Sequence, residues 1–386
     1  MTYLSRDITT AIKEAYKSYS VIVVTGPRQS GKTTLIKNIF EGLTYYSMED
    51  IDIRQMAIAD PRAFLQVQGE GMILDEVQNT PELMSYIQGV VDNHPEKRFV
   101  LSGSSQFTLL KNVTQSLAGR AAIFELLPMA QSELGQNKRQ LDDLLFGGMY
   151  PAVVAGGKNP YILYKNYTQT YLERDVRDLL AIRDIDKFQK FLRLCAARIG
   201  SIFNASELSN ELGVATNTIN SWLSVLKASY IVFLLQPFYE NTRKRLTKSP
   251  KIYFADTGLA CYLLEIESSA QLRRDKMRGH LFENFVVTEA LKRQLNQGRE
   301  ANLCFYRDSN GVEVDLLVKK EGRYKAVEIK SSSTYHPDFE NGLKSFEKEF
   351  GEKTSDYAIV YAGEVEDFGR HYQLVNYSNF TNFLVR

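Results

Sequence analysis

The residues best suited to chemistry in this chain are the nine from Gly26 to Thr34: Gly26, Pro27, Arg28, Gln29, Ser30, Gly31, Lys32, Thr33 and Thr34. The β-branched run Val21-Ile22-Val23-Val24 precedes them and reads as a buried strand. Leu35 to Phe40 follows and reads as the first turns of a helix. Strand, G-x-x-x-x-G-K-T and helix together make a P-loop arrangement. Its glycines let the backbone curl so that successive N–H groups point at a polyphosphate. The helix N-terminus adds a partial positive charge beneath it. Lys32 is expected to reach the β- and γ-phosphates, and the Thr33 hydroxyl to ligate Mg²⁺. The expected ligands are therefore ATP and Mg²⁺.

A second site of chemistry is Met72-Ile73-Leu74-Asp75-Glu76, an apolar run that ends in two carboxylates. After a P-loop, the Asp is placed to hold Mg²⁺ through water. Glu76, next to it, is placed to polarise the attacking water. Arg98 to Leu101 reads as another buried strand, leaving into Ser102-Gly103-Ser104-Ser105. Ser102 and Ser104 are the polar residues expected to contact the γ-phosphate or the water; the competing reading is a turn rich in Ser and Gly. Arg120 precedes the run Ala121 to Leu126. It is either an arginine finger or sensor of γ-phosphate charge, or a surface ion-pair residue.

Further along, three carboxylates and a lysine recur with strand spacing. Glu283 lies near the start of a helix running to Leu295. Asp315 lies in the strand Gly311 to Val318, and Glu328 and Lys330 in the strand Tyr324 to Lys330. Alternation puts Glu328 and Lys330 on one face. Asp315 joins them if the two strands pair as a hairpin. Glu, then Asp, then E-x-K is the active-site set of PD-(D/E)XK nucleases. Glu283, Asp315 and Glu328 would hold a second Mg²⁺ or Mn²⁺ through hard oxygens, and Lys330 would orient a water on it. A solvated strand pair of alternating charge is the plainer reading.

Elements between these sites suggest nucleic acid. Ser206 to Val214 reads as a short helix stopping at Gly213, and Thr216 to Leu226 as a second helix. Two helices on a short Gly turn fit a helix-turn-helix. The strand Tyr230 to Leu235 and the strand Lys251 to Phe254 flank a basic segment with Arg243, Lys244, Arg245 and Lys248. Lys251 closes that basic run. The combination reads as a winged helix. Asn217, Thr218, Asn220 and Ser221 lie where a recognition helix meets base edges. Arg243, Lys244 and Arg245 are expected to meet phosphates. DNA is the expected partner; protein contacts through the same surface are the alternative. Arg174 and Arg177, on the helical stretch Tyr161 to Ile182, read as surface ion-pair residues or as neighbours of an adjoining nucleotide.

These motifs resemble AAA+ ATPases of a prokaryotic group that carries a C-terminal domain of unknown function. The P-loop, Leu74-Asp75-Glu76 with Val77-Gln78, Leu101-Ser102-Gly103-Ser104-Ser105, and Leu117-Ala118-Gly119-Arg120 ahead of Leu126-Leu127-Pro128-Met129 carry the likeness. It continues in Gly147 to Pro151, Tyr171 to Val176 and Asp256 to Ala260. The resemblance implies an AAA+ core, a small lid, a winged helix and a C-terminal domain related to PD-(D/E)XK nucleases.

The remaining properties bound these expectations. A chain of 386 residues calls for two to three domains. They divide as 1–130, 131–265 and 266–386. The fold class is α/β: a P-loop AAA+ parallel-sheet core, a helical lid with a winged helix, and a restriction-endonuclease-like α/β domain. A net charge of +1 leaves nucleic-acid binding to a local basic patch. The longest apolar runs, such as Tyr230 to Leu235, have strand length, so no membrane span is expected. Met1 to Asp7 lacks a signal-peptide pattern. Cys195, Cys261 and Cys304 are widely separated, without metal spacing. A cytoplasmic location fits both observations. A homo-oligomer is suggested by the resemblance and by Arg120.

Overall fold

Five short strands, β1 (Val21–Thr25), β2 (Thr44–Ser47), β3 (Gly71–Asp75), β4 (Arg98–Gly103) and β5 (Ala121–Glu125), form one sheet in the order β2-β3-β4-β1-β5. Every pairing in it is parallel. The computed structural model describes residues 3–66, 69–104, 113, 116–135, 139–172, 185–238 and 249–385. β1 and β3 are buried along their whole length. Parallel strands covered on both faces need such continuous apolar runs. Alternation sends Val21 and Val23 to a core with Leu83, Ile87 and Val91. It sends Ile22 and Val24 to the opposite core, with Ile8, Ile12, Leu35 and Ile36. The P-loop strand therefore lies between strands on both sides and helices on both faces.

The chain divides into two compact units. The first comprises residues 1–129 with 228–230 and 295–299, and the second the remainder. In the second unit, the helices Ile185–Ala196, Ala205–Leu212 and Thr216–Ala228 precede the antiparallel pair β6 (Val232–Pro237) and β7 (Lys251–Phe254). Asn204 caps the Ala205–Leu212 helix by accepting from Ser206 N at 3.1 Å and Glu207 N at 3.2 Å. Gly213, at φ +61°, closes it in the left-handed conformation. Two helices joined by a short turn thus stand where the sequence places them. Arg243, Lys244, Arg245 and Lys248 lie outside the described residues, as do Arg174, Arg177 and Ser105.

β6 also pairs with β8 (Leu303–Arg307). It thereby joins a seven-stranded sheet in the order β12-β11-β10-β9-β8-β6-β7. The other members are β9 (Glu313–Lys320), β10 (Arg323–Lys330), β11 (Thr354–Tyr361) and β12 (Tyr372–Asn376). β8, β9 and β10 pair antiparallel; β10, β11 and β12 pair parallel. The middle and C-terminal segments expected as separate domains therefore share one sheet.

Candidate active site

The P-loop leaves β1 at the carboxyl edge of the five-stranded sheet, between β4 and β5, where the strand order reverses. Ligands of open α/β sheets bind at such a point. The backbone there is built from unusual conformations: Gly26 at φ +148°, Gln29 at +62° and Gly31 at +95°. A Cβ on Gly26 would lie 2.2 Å from the Leu126 carbonyl oxygen, so only glycine fits. Gly31 caps the helix Lys32–Ile39. A curl of this kind, with the N–H groups of the helix end, fits an anion.

Lys32 is buried, and its ammonium donates to the carbonyls of Gly26 at 3.0 Å and Pro27 at 2.9 Å. Burial pushes its pKa down to about 8, while Glu76 and Asp75 pull the other way. The lysine thus keeps its charge at neutral pH. Ser30 Oγ is fully buried and has no hydrogen-bond partner. A buried orphan hydroxyl in a phosphate loop fits a ligand oxygen. Thr33 is half-buried and Thr34 exposed.

Asp75, 3% exposed at the end of β3, gathers its donors from four places. Its Oδ2 accepts from Thr33 Oγ1 at 2.7 Å and from Tyr45 Oη at 2.8 Å. Its Oδ1 accepts from Ser102 Oγ and from the Glu76 N–H at 3.1 Å. A hydroxyl on the P-loop helix and a carboxylate on β3 form a hard-oxygen pair, which fits Mg²⁺. Burial, then the Asp75 carboxylate, pushes the Tyr45 hydroxyl well above the ordinary tyrosine range, so it stays a donor.

Glu76 follows in the left-handed region, at φ +52°. One of its carboxylate oxygens accepts from Gln78 Nε2 at 2.5 Å and from Ser104 Oγ at 3.3 Å. The two serines expected from the sequence thus divide their work: Ser102 holds Asp75 and Ser104 holds Glu76.

As a sensor of its own chain's γ-phosphate, Arg120 is misplaced. Because β5 runs parallel to β1 with Val21 opposite Ala121, Arg120 sits at the amino edge of the sheet. The P-loop leaves from the other edge. Arg120 is engaged by Asp92, Nε to Oδ1 at 2.5 Å and Nη2 to Oδ2 at 2.9 Å. Within its own chain it is an ion-pair residue and does not reach the P-loop. Sequence reading also missed Arg6. This buried arginine donates to the Ser30 carbonyl at 2.9 Å and the Leu127 carbonyl at 2.8 Å, bracing the P-loop from behind. Its only signal in the sequence is an arginine ahead of an apolar-periodic helix.

In the second unit, the helix Thr216–Ala228 buries Ile219, Trp222, Val225 and Leu226. Asn217, Asn220, Ser221, Ser224 and Lys227 are exposed at helical spacing, and Thr218 is half-buried. The face left to solvent is polar and carries one charge.

The C-terminal carboxylates are near one another but not as a metal cage. The β9–β10 register runs from Arg323 opposite Lys320 to Val327 opposite Leu316. Continued by one pair, it sets Glu328 opposite Asp315. Lys330 pairs with Glu328 and lies 3.7 Å from Asp315 Oδ2, which accepts from Ile329 N at 2.8 Å. Glu283, from the helix Arg278–Leu295, accepts from Tyr253 Oη at 2.6 Å and Lys251 Nζ at 3.1 Å. Lys251 also pairs with Glu313. Lysine ammoniums thus stand where the sequence expectation puts a divalent ion. Among the described residues, no group of three carboxylate, His or Cys side chains is placed to hold a metal. The donor set of Glu283, Asp315 and Glu328 therefore does not fit the second Mg²⁺ or Mn²⁺. Lys251 is likewise not a phosphate contact of a wing, being 3% exposed.

Burial, then Asp315, raises the Glu283 carboxyl to about 7 and the Glu328 carboxyl to about 8, from an ordinary 4.5. A carboxyl raised in the folded state binds its proton more tightly there than when unfolded. Its stabilising contribution is complete below about 4.5 and is lost as pH rises through 7 and 8. The melting temperature should therefore fall between about pH 5 and pH 8. The Glu283→Gln, Glu328→Gln double variant should flatten that slope. A parental slope in the double variant would sink this assignment.

Comparison with known families agrees with the first unit's geometry. Residues 18–135 match the family model described as AAA domain. The fold and the P-loop site define an AAA-type, ATP-binding P-loop ATPase. Residues 138–270 match Domain of unknown function (DUF8612), and residues 278–380 match Domain of unknown function (DUF4143). The chain is 31% identical over 365 residues to Uncharacterized protein Rv2008c of Mycobacterium tuberculosis and to Uncharacterized protein Mb2031c of Mycobacterium bovis. The match covers 93% of this chain and 80% of each relative. The chain belongs to the same family as these proteins. Among solved structures, the Walker-type ATPase of Pyrococcus abyssi aligns at 14% identity with a TM-score of 0.47, covering 67% of this chain and 94% of that one. Among the described residues, no helix is long and apolar enough to cross a membrane.

Proposed function

We propose that this protein hydrolyses ATP and couples the cycle to DNA gripped by its second unit. The observation that carries the hydrolytic reading is the joint placement of Thr33, Asp75 and Glu76 at one sheet edge. Thr33 bonds Asp75 at 2.7 Å, and the adjoining Glu76 is steadied by Ser104 and Gln78. Gly26 to Thr34 bind the triphosphate, with Lys32 opposing the β- and γ-phosphate charge. Thr33 and Asp75 are the residues to hold magnesium, which when bound neutralises phosphate charge. Glu76 accepts a proton from the attacking water or orients it.

The polar face of the helix Thr216–Ala228, following a helix–turn–helix and ahead of the β6–β7 pair, supports the DNA reading. That sequence of elements supports a winged-helix reading, in which the second helix would enter the major groove. Asn217 and Thr218 would meet bases, and Arg243, Lys244 and Arg245 phosphates. A helix and three antiparallel strands ahead of a helix and parallel strands support reading the C-terminal segment as PD-(D/E)XK-like. With its carboxylates paired to Lys251 and Lys330, it grips rather than cuts.

The test is ATP turnover with and without single- and double-stranded DNA. Turnover should rise with DNA and should respond to Asn217→Ala. Unchanged turnover with both DNA forms would remove the coupling and favour a regulatory ATPase whose second unit binds protein.

A further inference from the structure

Asp75 is the most heavily bonded carboxylate of the first unit's active site, and one of its donors comes from outside the P-loop, β3 and β4. That donor is Tyr45, on the edge strand β2. Tyr45 is paired with Ile73 in parallel register, two residues before Asp75. Positions two apart share a face of the sheet, and side chains lean along the strand. Tyr45 therefore reaches forward along that face to the carboxylate. Oδ2 is held from two sides, by Thr33 at 2.7 Å and by Tyr45 at 2.8 Å. Without the tyrosine it would be held from one side only, by the same hydroxyl that is to take the metal.

Tyr45 is itself fixed. The Lys37 ammonium lies 3.4 Å from its ring centroid. Lys37 stands four residues after Thr33 on the helix Lys32–Ile39, hence on the same helix face. One face of the P-loop helix thus presents Thr33 to the carboxylate and Lys37 to the ring that orients that carboxylate. A cation over an aromatic face is attractive, so the ring has a preferred seat independent of its hydroxyl.

We propose that Tyr45 is a positioning residue of the ATPase site, its hydroxyl holding the Asp75 carboxylate in the orientation that, with Thr33, receives the magnesium ion of MgATP. The proposal rests on the reading of Thr33 and Asp75 as the magnesium-holding pair. Tyr45 acts through Asp75, the group its hydroxyl holds. Outer partners that orient a metal ligand typically contribute 10–100-fold to metal affinity.

The test is Tyr45→Phe in the full chain, which keeps the ring under Lys37 and removes only the hydroxyl. ATP binding is measured calorimetrically in EDTA and then across a series of Mg²⁺ concentrations, alongside the melting temperature. In EDTA the variant should bind ATP as the parent does. The Mg²⁺ concentration giving half of the metal-dependent gain in ATP affinity should rise roughly tenfold. Turnover at saturating Mg²⁺ should recover more than turnover at limiting Mg²⁺. An unchanged Mg²⁺ midpoint, with or without a lower melting temperature, would make Tyr45 a fold residue only and overturn the proposal. A lower midpoint would overturn it too, because the hydroxyl would then compete with the metal. If the parent itself shows no Mg²⁺-dependent ATP binding, the ATPase reading fails, and this proposal with it. Should Tyr45→Phe fail to fold, Lys37→Met frees the ring without touching the hydroxyl. It should move the midpoint in the same direction by a smaller factor, and no movement would again overturn the proposal.

Discussion

Glu76→Gln should bind ATP as tightly as the parent and turn it over roughly 10²–10⁴ times more slowly, the range that a positioned proton acceptor contributes. The substitution is nearly isosteric. It leaves the P-loop backbone and the Thr33–Asp75 bond untouched. What it removes is the basic oxygen pair. Glu76 sits where the chain turns through φ +52° directly after β3. A left-handed conformation at a non-glycine residue costs on the order of 1–3 kcal/mol and persists where its surroundings over-determine it. Here the surroundings are identifiable. Asp75 accepts the Glu76 N–H, and Gln78 and Ser104 hold the side chain. The strained turn directs the carboxylate to the carboxyl edge of the sheet, beside the P-loop, rather than back along β3. Calorimetry for binding and phosphate release for turnover separate the two effects. A variant that retained the parental turnover number would show that Glu76 is not the group acting on water.

How much of this site can be read from sequence depends on how local each interaction is. The P-loop is legible because its nine residues do their work through their own backbone and the two elements that touch them in sequence. Asp75-Glu76 is legible because an apolar strand ending in paired acids is itself unusual. Arg120 was legible as an arginine before a strand, but not as a residue of the wrong edge. Its position follows from parallel pairing of β5 with β1, strands about a hundred residues apart, and no local pattern encodes that. Tyr45 escaped notice for the same reason: its partner, Asp75, is a neighbour only across the β2–β3 pair. In the second unit the helix Ala205–Leu212 was readable from its Gly213 stop. β12 was not expected, because Tyr372-Gln373-Leu374-Val375-Asn376 is short and has only weak alternation. Lys251 was not legible as a buried cation because it follows a run of cations in the sequence. Composition places it with Arg243 to Lys248, whereas strand alternation places it with Tyr253, on the face of β7 that meets Glu283.

Lys251 therefore carries the second large expectation. Its side chain is 4% exposed, against 14% for Glu283 and 25% for Glu313, and it pairs with both. Burial lowers its pKa, but Glu283, Asp315 and Glu313 together raise it further, so it stays charged. Removing one partner of a buried pair leaves an uncompensated charge and typically costs about 3–5 kcal/mol. Lys251→Met keeps the length and apolar stem of the side chain and removes only the ammonium, so a loss of that size is expected. Adding Glu283→Gln should return part of it, because the stranded charge is then also gone. Trp222, the single tryptophan of the chain, is buried in the same unit and reports urea unfolding by fluorescence in the full-length protein. A loss below about 1 kcal/mol, the size of an exposed pair, would show that Lys251 does not neutralise the cluster. The metal question is settled by the same curves. If Mg²⁺ or Mn²⁺ leaves the parent's unfolding midpoint unchanged, the lysines are the cluster's cations. If either ion raises it, and Asp315→Asn abolishes the rise, the carboxylates take a metal in preference to Lys251, and the gripping role gives way to phosphodiester chemistry.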